Sequence, residues 1–124
     1  MTAEDYDAME ARLSENYKSL IDSLPIVIDQ IDYNIQEARA LENNAEAIFL
    51  CYAMEWVATD LYNSAKKENR WKYMLMFSKY TKMRKDILMV YPLSRKDELI
   101  KIVKKAKEYY SQSAARKKIV HQSK

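Results

Sequence analysis

Residues 47–61 read AIFLCYAMEWVATDL. Ile48, Phe49, Leu50, Cys51, Tyr52, Met54, Trp56, Val57 and Leu61 leave almost no solvated face at helical spacing. A helix that is apolar nearly all round sits in the middle of a bundle. The spacing predicts a helix over about 44–67. Asn43 with Glu46 three residues on matches a capping box, with Asn in the place of Ser or Thr.

Working outward, each flanking segment carries one apolar stripe. Upstream, Ile28, Ile31, Ile35 and Ala38 predict a helix over about 25–42, and Tyr6, Met9, Leu13, Tyr17, Leu20 and Leu24 predict one over 3–23. Thr2 is the expected cap of the first helix, with Glu4 and Asp5 facing its positive end. Pro25 predicts a break near Leu24, with Ser23 capping the second helix. Downstream, a helix from Asn69 to just before Pro92 would turn Trp71, Met74, Leu75, Met83, Ile87 and Leu88 to the core. A last helix from Ser94 carries Leu99, Ile102, Val103, Ala106, Tyr109 and Tyr110, and its basic end is expected to fray from about residue 116. Joints of a few residues favour antiparallel neighbours. The expected fold is all-α: one domain over 1–124, an antiparallel bundle of four to five helices.

Composition removes whole classes of function. The chain has no glycine, where about eight or nine would be ordinary for its length. Phosphate-cradling loops, a nucleophile elbow and an EF-hand all need glycine for a sharp turn or a close backbone approach. The single cysteine, Cys51, rules out an internal disulfide and reads as a small core residue. One histidine and one cysteine, far apart, and no Glu-x-x-His pair argue against a metal site. No cofactor is expected. No apolar run approaches the roughly 20 residues of a membrane span. The acidic start MTAEDYDAMEARL is unlike a signal peptide, so the expected location is cytoplasmic.

The charge is divided along the chain. Residues 1–60 carry 13 acidic and 3 basic side chains, and residues 61–124 carry 5 and 18. The overall balance of +3 conceals this division. Such asymmetry points to a charged partner. The candidate binding residues are Lys101, Lys104, Lys105, Arg116, Lys117 and Lys118, joined by Lys72, Lys79 and Lys82 if the last two long helices are neighbours. Tyr109 and Tyr110 are candidates to stack on unpaired bases. Three explanations stay open: internal pairing of acidic with basic helix faces, a nucleic acid or acidic protein surface, and self-association of acidic face on basic face, including a homodimer.

Two further residues stand out. Glu55 interrupts the most apolar helix; it is either a general acid or base, or a boundary carboxylate reaching water or a Lys of a later helix. His121 closes the stretch Arg116-Lys117-Lys118-Ile119-Val120-His121. An Arg, four intervening residues and a His in a small helical protein resembles the HEPN family. That resemblance implies a ribonuclease acting at a two-fold dimer interface, with Arg116 stabilising phosphate charge and His121 as acid or base. The residues taken together favour a non-enzymatic binding module for an anionic partner, of the kind found among accessory or inhibitor proteins. The ribonuclease and a structural homo-oligomer are the alternatives.

Overall fold

A computed structural model describes residues 1–122; residues 123 and 124, the end of the expected tail, lie outside the described residues. The chain is 90% helical, with no strand among the described residues. Six α-helices follow one another: α1 (Ala3–Val27), α2 (Ile31–Ala40), α3 (Asn44–Ser64), α4 (Arg70–Met89), α5 (Lys96–Ser111) and α6 (Ala114–Gln122). Short 3-10 turns lead into α2, α4 and α5.

α3 is the centre. Thirteen of its 21 residues are buried, from Ala45 to Leu61. α1, α2, α4, α5 and α6 all pack on it, while α1 also receives α5 and α6. The buried ring of Phe49 meets Trp56 edge-on at 6.2 Å, and Trp56 in turn packs on Tyr110 of α5 at 5.8 Å. Cys51 is fully buried, and burial first of all pushes its thiol up to about 12. No helix among the described residues is long and apolar enough to cross a membrane.

Side-chain caps fix the starts of α1 and α3. Thr2 accepts from the Asp5 N–H at 3.3 Å and Asp5 accepts from the Thr2 N–H at 2.7 Å, a reciprocal box. Asn43 accepts from the Glu46 N–H at 3.3 Å, starting α3 where expected. α2 ends without glycine. Glu42 takes the left-handed conformation, φ 58°. The Asn43 N–H reaches the Ala38 carbonyl at 2.8 Å and the Glu42 N–H the Arg39 carbonyl at 3.0 Å. These two bonds form a Schellman motif with glutamate at the position glycine usually holds.

Three boundaries differ from expectation. Pro25 lies inside α1, which continues to Val27 before a 3-10 turn at Ile28–Gln30. The missing N–H of Pro25 takes one rung from the helix without ending it at once, and Ser23 donates to the Leu20 carbonyl at 2.9 Å instead of capping a new helix. Second, the last expected helix divides at Gln112–Ser113. Ser113 donates to the Tyr110 carbonyl at 2.7 Å and accepts from the Arg116 N–H at 3.2 Å, so it ends α5 and caps α6. Third, the segment expected to fray from about 116 is helical to Gln122, anchored by buried Ala115 and Ile119.

α4 departs furthest. It packs on α3 and is not packed alongside α5. Tyr80 and Ile87 face α3 and are buried, but Trp71, Met74 and Leu75, expected in the core, are 57%, 58% and 61% exposed. An apolar stripe becomes core only where another element covers it, and nothing among the described residues covers the outer side of α4's first turns.

Candidate functional site

The acidic half and the basic half meet inside the molecule. Of the six ion pairs among the described residues, five join residues 1–60 to residues 61–122. The sixth, Lys101 to Glu98 at 3.3 Å, runs along α5.

A recurring unit carries this seam: one carboxylate of α1, α2 or α3 receives both a tyrosine hydroxyl and a cation. Glu10, buried on α1, accepts from the Tyr91 hydroxyl and from Arg95 at 2.5 and 3.1 Å, and Arg95 also pairs with Asp7. Asp32 on α2 accepts from Lys79 and, at 2.6 Å, from Tyr80. Asp60 on α3 accepts from Tyr110 at 2.9 Å and holds both forks of Arg116, at 2.9 and 3.1 Å. Glu55 follows a variant of the pattern: Arg84 donates to it at 2.6 Å and lies over the Tyr52 ring at 4.6 Å. The carboxylate that interrupts the most apolar helix is therefore an ion-pair partner, and the cation is an arginine of α4, not a lysine.

These units shift acidity as the geometry requires. Burial pushes the Tyr80, Tyr91 and Tyr110 hydroxyls well above the ordinary phenol range, and the adjoining carboxylates push them further. For Asp32, partial burial would raise the carboxyl, but hydrogen bonds from Lys79 and Tyr80 and the Lys79 charge outweigh it and hold the group below the usual range. A carboxylate that accepts two donors stays ionised, and a tyrosine donating to it stays neutral.

This seam engages several candidate binding residues internally, although Lys79 and Arg116 stay 51% and 43% exposed. Arg116 is bound by Asp60, and Lys79 by Asp32. Tyr110 is buried against Trp56 and bonded to Asp60, so it presents no face for a base. Tyr109 donates to Asp22 at 2.7 Å, meets Tyr17 edge-on at 6.2 Å and lies under Lys18 at 5.6 Å, which occupies the ring expected to stack. Lys72, Lys82, Lys104, Lys105, Lys117 and Lys118 are exposed and make no ion pair among the described residues. They fall into two groups, since α4 is not packed alongside α5. Lys104 and Lys105 on α5 and Lys117 and Lys118 on α6 belong to adjacent helices; Lys72 and Lys82 stand apart on α4.

Arg116 and His121 do share a surface hollow, of about 270 Å³, with Asp60, Asn63, Ser64 and Lys117 among its lining residues. No group of three or more His, Cys, Asp or Glu able to hold a metal comes together among the described residues.

Sequence reasoning places the exposed lysines and misses the carboxylate–tyrosine units. The nearest thing to a local signal is Tyr91 and Arg95, four positions apart across the Pro92 joint. No known protein family, curated protein or solved structure matches this chain.

Proposed function

We propose that this chain is a non-catalytic helical binding module that engages the backbone of a nucleic acid through the lysines of α5 and α6. One observation carries the reading: Lys104, Lys105, Lys117 and Lys118, on adjacent helices, remain exposed and outside every ion pair among the described residues, whereas the seam engages Lys79, Arg84, Arg95 and Arg116. Lys101 adds to the face, since its pair with Glu98 is exposed and contributes little. Lysines of this kind hold a phosphate backbone by counterion release and read no bases. The expected binding is weak, indifferent to sequence and strongly salt-dependent.

Five phosphate contacts imply a slope of log affinity against log salt of about −4 to −5 on duplex DNA. Replacing Lys104, Lys105 and Lys117 by Ala should flatten that slope by roughly three units and leave the circular dichroism spectrum unchanged. Mobility shift at two salt concentrations measures it; no shift at low salt with RNA or either form of DNA would end the reading. With Tyr109 and Tyr110 engaged internally, single strands should gain nothing over duplex from stacking.

The ribonuclease alternative draws on the hollow that Arg116 and His121 share. Against it stands the two-pronged hold of Asp60 on the guanidinium, which neutralises the charge a phosphate would need. RNA left intact by the protein at high concentration excludes it, whereas cleavage abolished by His121→Ala would replace the binding reading.

A further inference from the structure

α4 is apolar on two opposite sides and covered on one. At 100° per residue, Trp71, Met74, Leu75 and Ser78 share its outward face. Phe77, 41% exposed, turns toward α3. With Tyr73 and Met74 it forms one wall of a groove of about 260 Å³, whose other wall is Ala58, Thr59 and Tyr62 of α3. The exposed parts of Trp71, Met74, Leu75 and Phe77 amount to on the order of 400 Å². Apolar patches of that size mark interfaces, and this one supplies about half of the ~800 Å² that each partner buries in a stable contact.

The rim of this face carries more cations than anions, with Arg70 and Lys72 at one end and Lys82 and Lys85, beside Asp86, at the other. It is also incomplete. Two buried side-chain atoms among the described residues have no hydrogen-bond partner, Arg70 Nε and Thr81 Oγ1. Both flank the groove. The Arg70 guanidinium lies 5.4 Å over the ring of Tyr62, and Thr81 lines a hollow that continues from Phe77 and Ser78. Buried polar groups left without partners are few in folded proteins and call for an explanation. An occupant with an apolar centre and acidic edges would cover the one and reach the other.

Such a surface exists on the same chain. Ile26, Tyr33 and Leu41 of the α1–α2 region are 83%, 68% and 74% exposed, and Asp29, Glu37 and Glu42 are exposed on the same stretch of chain. Glu37 and Leu41 border a hollow of about 190 Å³ that Glu46 and Leu20 also line. The chain cannot fold this surface onto its own groove. Asp32 of α2 grips Lys79 and Tyr80, and on the helical wheel the Lys79 side of α4 is the flank away from Phe77 and Thr81.

We propose that the α3–α4 groove face of one copy docks the acidic α1–α2 face of a second copy, head to tail. A symmetric contact of α4 on α4 would set Lys72, Lys82 and Lys85 against their own equivalents, and like charges across an interface are repulsive. The heterologous contact instead sets basic rim on acidic rim, and it leaves one unused face at each end of any assembly, so growth continues unless the rotation closes a ring. This association uses none of the α5–α6 lysines and stands apart from nucleic-acid binding.

Sedimentation velocity over a concentration series tests it with three samples of the full chain. The wild type should pass beyond two copies as concentration rises. Met74→Glu, which spoils the groove face, and Tyr33→Lys, which spoils the acidic face, should each associate at least ~tenfold more weakly. Mixed one to one, the two variants retain one good face apiece and should form a heterodimer that stops at two copies. Both positions are exposed, and formation of the heterodimer itself reports that both variants are folded. A wild type that stays a single copy at every concentration, or one that stops at two copies while the variant mixture does not associate, would overturn the proposal.

Discussion

α3 and α4 have similar lengths and similarly apolar first turns, yet one is enclosed and the other lies at the edge. Around α3, five helices supply cover, and its single intrusive carboxylate, Glu55, is met by Arg84. Around α4, α3 supplies most of the cover, with Asp32 of α2 bonded to Lys79 and Tyr80, and its opposite side shows Trp71, Met74 and Leu75 to solvent. The same residue types therefore have two energetic meanings. In α3 a side chain is held by contacts on every side; in the outer face of α4 it is an unused surface.

The sharpest way to break the comparison is to truncate one ring in each helix. Phe49→Ala, in a fully buried site, should cost about 3–5 kcal/mol. Trp71→Ala, measured on dilute protein, should stay within about 0.5 kcal/mol despite removing a larger ring. Urea unfolding followed by circular dichroism compares them directly; equal losses would mean that the outer side of α4 is covered after all.

Alkaline titration tests the tyrosine seam that ties α4 and α5 to the acidic helices. Tyr80, Tyr91 and Tyr110 have hydroxyls raised above their unfolded value. Their contribution is fully present below that value, about 10, and is lost as pH rises from there through the folded values. Each should remove roughly 1.4 kcal/mol of stability per pH unit in that window. Phenolate absorbance should show these three of the ten tyrosines ionising only together with loss of helix. Smooth titration of all ten in the folded protein would contradict the seam.

The smallest effect concerns the joint that delivers the chain into α3. Glu42 holds a left-handed conformation that costs a residue with a Cβ roughly 1 kcal/mol. Glu42→Gly should stabilise the protein by up to about that amount, offset in part by the greater freedom of glycine in the unfolded chain. A shift of the unfolding midpoint to lower urea would mean that the carboxylate contributes more than the backbone strain removes.

Whatever depends on near neighbours is legible in the sequence. The α3 run, the Thr2 and Asn43 caps and the stripes of α1, α2 and α5 all come from residues within a few positions of each other. Periodicity turns Trp71, Met74 and Leu75 inward because it identifies an apolar face without saying whether anything covers it. Arg116 and Tyr110 look like a binding surface in the sequence because their partner, Asp60, lies 50 or more residues away. The division of charge between the halves is plain; that five ion pairs close across it needs three dimensions. Pro25 misleads by a single turn, since losing one N–H weakens a helix without fixing where it stops.

The seam also has a direction in time. A ribosome delivers residues 1–60 first, a stretch with ten more acidic than basic side chains. The tyrosines and arginines that answer Glu10 and Asp60 stand 50 to 85 positions later. Until they emerge, Glu10 and Asp60 lack those partners and α3 has no cover from α4, α5 or α6.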